Sequence, residues 1–177
     1  ACADDGCSSG TTVNRLARWN GSSWSGIGNG LNNTVFALTA QDGTLYVGGA
    51  FTTTCADSAC APGMTVNRVA KWDGTSWSAL GHGVSDQVNA LAVSGDRLFV
   101  GGAFKHLCTN DGCTPGTQVN YVAQWNGTGW STLGSGTNGA VYTAAATAGS
   151  LFVGGFFSQT GDKPSNHIGT YATFADL

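Results

Sequence analysis

Six cysteines fall in three C-x4-C pairs: Cys2 and Cys7 in CADDGC, Cys55 and Cys60 in CADSAC, Cys108 and Cys113 in CTNDGC. Zinc sites favour C-x2-C with a second pair or histidines nearby. These pairs are spaced C-x4-C instead, so they read as disulfides, each closed within one loop where no long-range search is needed. Disulfides imply an oxidising, extracellular compartment. The export signal has then been removed or lies outside the sequence. Closing so small a ring stabilises by about 2 kcal/mol on a chain-entropy estimate. The simplest role is a rigid hairpin tip. The loops also carry oxygen ligands, Asp4, Asp5, Asp57 and Asp111 with Asn110, which suit Ca²⁺ in type. They lack a regular D-x-D-x-D spacing and a bidentate Glu, and no other cofactor is implied.

Three tryptophan pairs follow the cysteine loops: Trp19 with Trp24, Trp72 with Trp77, Trp125 with Trp130. Trp pairs across a hairpin pack between strands. Alternatively Trp24, Trp77 and Trp130 stack on sugar faces, giving one glycan site per repeat. Asn20, Asn32 and Asn126 begin N-x-[ST] sequons, two of them in turns that call for Asn-Gly anyway. His82, His106 and His167 occupy unrelated repeat positions, His82 standing where Asn29 and Ser135 stand in the other copies. Nucleophilic catalysis needs a nucleophile, a base and an orienting partner that converge. No such set is visible, so the chain reads as no enzyme, with an enzyme fragment the weakest of the readings weighed.

The elements that carry these residues repeat. Copies 2–54, 55–107 and 108–160 are 53 residues each and align without a gap, and a partial copy spans 161–177. The whole of 1–177 is therefore one array. Within a copy, VNRVAKW reads as a strand through Val66, Val69 and Trp72. Asp73-Gly74 reads as a tight hairpin turn with both residues at positive φ. WSALG returns, and VNALAV is a strand buried on both faces. Gly95-Asp96 is another turn, and LFVGGAF is a strand whose Gly101-Gly102 pair marks a bulge or a close backbone approach. The inner strands would be VFALTA, VNALAV and VYTAAA, followed by LYVGGAF, LFVGGAF and LFVGGFF, with the Trp hairpins outermost and the cysteine loops along one rim.

Four short antiparallel strands per copy is the arithmetic of a β-propeller blade. The fold class is thus all-β, with propeller-type four-stranded blades at a 53-residue period. Composition agrees: Gly is 28 of 177 residues, the ten acidic residues are all Asp, and helix formers are scarce. A net charge of −3 with no basic run disfavours nucleic acid. No apolar run is long enough to span a bilayer as a helix.

The pattern LYVGGAF, VNRVAKWDGTSWSALGHGV, VNALAV resembles a group of propeller-like repeats in secreted and surface proteins of bacteria. It is also similar to the repeats of fungal cortical cell-polarity markers. The resemblance covers nearly the whole chain. It implies a propeller-type fold and a scaffold, adhesive or interaction role; the paired cysteines are an addition to the shared pattern.

The two ends fall inside structural units. Residues 13–27 give an outer hairpin without an inner pair, and the tail NHIGTYATFADL keeps a strand start but loses its Asn-Gly turn. Either the chain belongs to a longer array, or its edges pair with other copies. In the second case Ile168, Tyr171 and Phe174 must find an apolar partner, such as hairpin 13–27 of a neighbouring copy or of the same chain. The expected function is a secreted or cell-surface, non-catalytic structural and adhesive protein that self-associates into a ring or filament, the alternative being a lectin-like glycan binder.

Overall fold

The structure, a computed structural model, describes Gly10 and residues 12–172. Among these residues there is no helix; every regular element is a short strand. The first copy and its junction contribute β1 (Ala17–Trp19), β2 (Trp24–Gly26), β3 (Val35–Gln41), β4 (Thr44–Gly49) and β5 (Thr53–Cys55). The second contributes β6 (Pro62–Thr65), β7 (Val69–Trp72), β8 (Trp77–Ala79), β9 (Val88–Ser94), β10 (Arg97–Gly102) and β11 (His106–Cys108). The third contributes β12 (Pro115–Gln118), β13 (Val122–Trp125), β14 (Trp130–Thr132), β15 (Val141–Ala146), β16 (Ser150–Gly155) and β17 (Gln159–Thr160). Then come β18 (Lys163–Pro164) and β19 (Ile168–Ala172).

These strands build four layers. Two are four-stranded antiparallel sheets, β3-β4-β7-β8 and β9-β10-β13-β14, each running from an inner pair to a Trp hairpin of the next copy. The third is β15-β16-β19, and the fourth is the hairpin β1-β2 alone. Strand order thus follows the sequence reading. Among the described residues no ring closes, because β1-β2 does not join the sheet of β15. Neighbouring inner strands are tied by Gln41 Nε2 to the carbonyl of Gly95 at 2.6 Å, and by Ser94 Oγ to the carbonyl of Thr147 at 2.8 Å.

Hydrophobic burial supplies the main attraction between layers, and three cores lie between the four. Leu16 and Ile27 pack on Val47, Ala70 and Trp77. Val69 and Leu80 pack on Val88, Leu91, Leu98 and Val100. Ala90, Phe99 and Val122 pack on Val141, Leu151 and Val153. The central strand β9 is therefore covered on both faces. The flanking β3 and β15 leave one face open, with Phe36, Leu38 and Tyr142 exposed.

Local turn chemistry explains where strands begin and end. The two-residue turns Asp42-Gly43 and Gly95-Asp96 link inner pairs, and the ladder slips between Gly101 and Gly102 as expected of a bulge. A Cβ on Gly101 would overlap Val141, so the glycine also serves a close approach between layers.

The Trp hairpins depart from expectation. Trp72 pairs with Trp77, so the loop holds four residues, and only Gly74 takes positive φ. The Asp73 side chain explains this: Oδ1 accepts from the amides of Thr75 and Ser76, each at 2.8 Å, forming an Asx-type cap in place of a two-residue turn. Asn20 and Asn126 do the same.

The strand read through VNRVAKW starts only at Val69, because Asn67 and Arg68 adopt φ of 24° and 74°. The same corner recurs at Arg15, Tyr121 and His167. The reason is hydrogen bonding on both sides of the peptide. Arg68 N–H donates to Phe51 and its carbonyl accepts from Gly49; Tyr121 pairs likewise with Phe104 and Gly102, and His167 with Phe157 and Gly155.

The second and third cysteine loops each tip a two-stranded ribbon, β5-β6 or β11-β12, closed by Cys55–Cys60 or Cys108–Cys113. Cys2 and Cys7 lie outside the described residues. The ribbon β17-β18 forms without cysteines, across the turn at Gly161-Asp162.

Candidate functional site

What the described polar side chains build is a seam between consecutive copies. Its hub is an asparagine at the strand-start corner. Nδ2 of Asn14, Asn67 and Asn120 donates to the carbonyls of Asn29, His82 and Ser135 at 2.8, 2.9 and 2.9 Å. The amides of Asn14 and Asn67 also donate across to the next cysteine loop, to the carbonyls of Ser58 and Asp111, both at 3.2 Å. Their own carbonyls accept from Leu31, Val84 and, for Asn120, Thr137. The glycines facing them, Gly30, Gly83 and Gly136, have φ of 82°, 77° and 76° and would overlap the asparagine carbonyl if they carried a Cβ. Gly is required there twice over.

The ribbons dock on the same loops. Cys55 N–H donates to Gly30 and Cys108 N–H to Gly83, both at 3.0 Å, and Gly161 N–H donates to Gly136 at 2.7 Å. One seam position varies in chemistry and in the atom it bonds, yet each time it reaches the turn of the next ribbon. Asn29 Nδ2 donates to the Ala56 carbonyl at 2.7 Å, His82 Nδ1 lies 2.8 Å from Asp111 Oδ1, and Ser135 Oγ donates to Asp162 Oδ1 at 3.1 Å.

Tryptophans clamp the seam from the other side. Each pair is tilted, with centroids 5.5, 5.2 and 5.3 Å apart in chain order. Trp72 and Trp77 close over Gly28, where a Cβ would lie 2.9 Å from Trp77 Nε1 and 3.0 Å from Trp72 Cζ3. Trp125 and Trp130 close over Gly81 in the same way, and Trp130 Nε1 donates to the Leu80 carbonyl at 2.7 Å. Trp77 Nε1 is buried without a partner. Of the three rings considered for glycans, Trp77 is buried, Trp130 is half-buried and Trp24 is exposed.

The remaining sequence candidates are placed as follows. Asp57 Oδ1 accepts from Ala61 N–H at 3.0 Å, capping its own ring, and Asn110 Oδ1 accepts from Thr114 N–H at 3.2 Å. Asp4 and Asp5 lie outside the described residues. Among those described, no three His, Cys, Asp or Glu side chains gather as a metal site would need. Asn20 and Asn126 use their side chains within their turns, and Asn32 Oδ1 accepts from Thr52 and Thr53. His106 lies in β11, and His167 Nδ1 lies 3.2 Å from the Gly155 carbonyl. Ile168 is exposed, Tyr171 packs on the third core, and Phe174 lies outside the described residues.

β19 pairs with β16 of its own chain, Ile168 opposite Gly154 and Tyr171 opposite Leu151. The tail strand therefore has a partner at home, in the place that β7 and β13 take in the other sheets. Burial raises the Tyr171 hydroxyl to about 12.

Sequence reading missed the asparagine hub. The available signal was repetition itself, since Asn14, Asn67, Asn120 and Asn166 occupy one repeat position.

No protein-family model matches the chain. The polarized growth protein rax2 of Schizosaccharomyces pombe is 40% identical to it over 87 residues, a stretch that covers 46% of this chain. The match spans 7% of that relative's length. Among the described residues, no helix is long and apolar enough to cross a membrane.

Proposed function

We propose that the chain is a non-catalytic structural module of a secreted or cell-surface protein, acting in polarized growth and associating with other copies of its own repeat. The repeated seam carries this reading. Asparagine, glycine loop, ribbon and Trp clamp are spent on joining one layer to the next. The partial likeness to a polarized growth protein supplies the process. The disulfides Cys55–Cys60 and Cys108–Cys113 suit an oxidising exterior.

Layers joined in this way form a propeller-type array. Its open faces and edges are where copies meet, as a ring if the contact closes and as a filament if it does not. Two measurements test the reading. An epitope tag on the protein should be accessible to antibody on unpermeabilised source cells and enriched at sites of growth; uniform cytoplasmic staining would overturn it. Light scattering over a concentration series should show association, and a strictly monomeric chain would remove the self-association part.

A second reading rests on one observation. Trp19 and Trp24 are both exposed beside Asn20 and offer an aromatic platform of the kind that sugars stack on. That gives a single glycan platform for the described chain. Binding to immobilised glycans that disappears in Trp24→Ala would favour it.

A further inference from the structure

We infer that the hairpin β1-β2 is a donor element that replaces β19 in the third sheet of a second copy, completing β15-β16 as β7-β8 completes β3-β4. This rests on the self-association reading above and names its surfaces.

The donor is preformed. Trp19 and Trp24 stand 5.5 Å apart in the tilted geometry of the two working clamps, yet they are 50% and 52% exposed. The acceptor is preformed too. Gly134 has φ of 55°, matching 53° at Gly28 and 55° at Gly81, and its loop is held by Gly136 N–H to Leu133 as its sisters are by Gly30 to Ile27 and Gly83 to Leu80. Among the described residues nothing comes within 4 Å of a Cβ at Gly134, whereas Gly28 and Gly81 each lie under a Trp pair.

β19 holds the intended place poorly. Ile168 faces Gly154 at the position where Val69 faces Gly48 and Val122 faces Gly101. Those valines are 0% and 1% exposed, while Ile168 is 70% exposed. Tyr171 stands where Trp72 and Trp125 stand, and Gly169 where Ala70 and Ala123 do. In the exchanged register Leu16, 6% exposed and apolar like the valines, would take the place of Ile168 and Trp19 that of Tyr171. Main-chain bonds to the freed β16 edge then supply affinity, and the clamp on Gly134 fixes the register.

The donor is placed on a second copy because the described residues closing on themselves would make only three sheets, and propellers close with about four to eight. Two copies of the described residues, contributing three sheets each, give six, so reciprocal exchange closes a dimer; exchange without closure gives a filament.

The test is sedimentation equilibrium on the full chain and four samples: Trp19→Ala with Trp24→Ala, Gly134→Leu, an equal mixture of these two, and Thr170→Pro, which weakens β19 alone. Circular dichroism checks that each is folded. The expected results are association of the wild type, at least tenfold weaker association of either blocked variant alone, recovery in the mixture, and at least threefold tighter association of Thr170→Pro. Blocked variants that associate like wild type, a mixture that stays monomeric, or Thr170→Pro that associates more weakly would overturn the exchange while leaving self-association standing. If neither wild type nor Thr170→Pro associates at any concentration, both fall.

Discussion

The side-chain amide of Asn67 reaches the main-chain carbonyl of Asp111, 44 residues further along the chain, at 3.2 Å. With its second bond to His82 it fastens a strand-start corner of one copy to the cysteine loop of the next. Asn67 is 6% exposed, whereas its counterpart Asn14 is only half-buried and its bonds lie open to solvent. Replacing Asn67 by Ala should lower stability by about 1–3 kcal/mol, because two partly buried bonds are lost together. Asn14→Ala should cost under about 1 kcal/mol, since water takes over its bonds. Urea unfolding of both variants measures the difference, and equal losses would show that burial is not what gives the hub its strength.

The two buried clamps offer a matched pair for the indole hydrogen bond. Trp130 Nε1 reaches the Leu80 carbonyl at 2.7 Å, while Trp77 Nε1 has no partner. Trp130→Phe should therefore destabilise by about 1–2 kcal/mol more than Trp77→Phe, which sheds an unpaired donor. Thermal or urea melts of the two variants provide the comparison.

The cysteine rings should be dispensable for folding. Changing Cys55 and Cys60 to Ser together is expected to cost about 2 kcal/mol and leave the array folded. The ribbon β17-β18, which forms without a disulfide, shows why: its docking bond from Gly161 to Gly136 is main chain. Peptide mapping of the native protein should return Cys55–Cys60 and Cys108–Cys113 as local links, and loss of all structure in the double variant would place the ring in the core.

Asp73 makes one turn acid-sensitive. Hydrogen bonds from the amides and hydroxyls of Ser76 and Thr75 hold its carboxyl well below the usual value of 3.8. The folded pKa is the lower one, so this contribution is complete above the unfolded value of 3.8 and is lost as pH falls from there through the folded pKa. Asn20 and Asn126 cap the sister turns with no titrating group. Asp73→Asn should thus leave neutral-pH stability nearly unchanged and flatten the loss below about pH 4. Acid titration of both proteins by fluorescence checks it.

Sheet order was readable because each strand carries its own signature. Trp flanks both ends of every outer turn, and the paired glycines mark the bulge beside Val141. The corner at Asn67 and Arg68 was not readable, since VNRVAKW alternates well enough to pass for one strand. Its positive φ comes from bonds to Phe51 and Gly49, which lie far back in sequence. The turn at Asp73 was misjudged for a related reason. Asp-Gly favours positive φ in both residues, but the carboxylate found two amides to cap and kept its own φ negative. The acceptor half of the seam, a Gly-x-Gly loop, looked like solvated linker because the ribbon and the Trp pair that cover it belong to the next copy.

The seam has a mechanical consequence. Every bond described across it joins a copy to its immediate neighbour, the longest spans being Gln41 to Gly95 and Ser94 to Thr147. Junctions in series carry the same tension, so in an array held by nearest-neighbour contacts the weakest one yields first. Pulling on the ends would open it in steps of one repeat, and a broken junction could re-form without the rest of the stack coming apart. A surface fibre built this way would stretch and recover where a single large core would rupture.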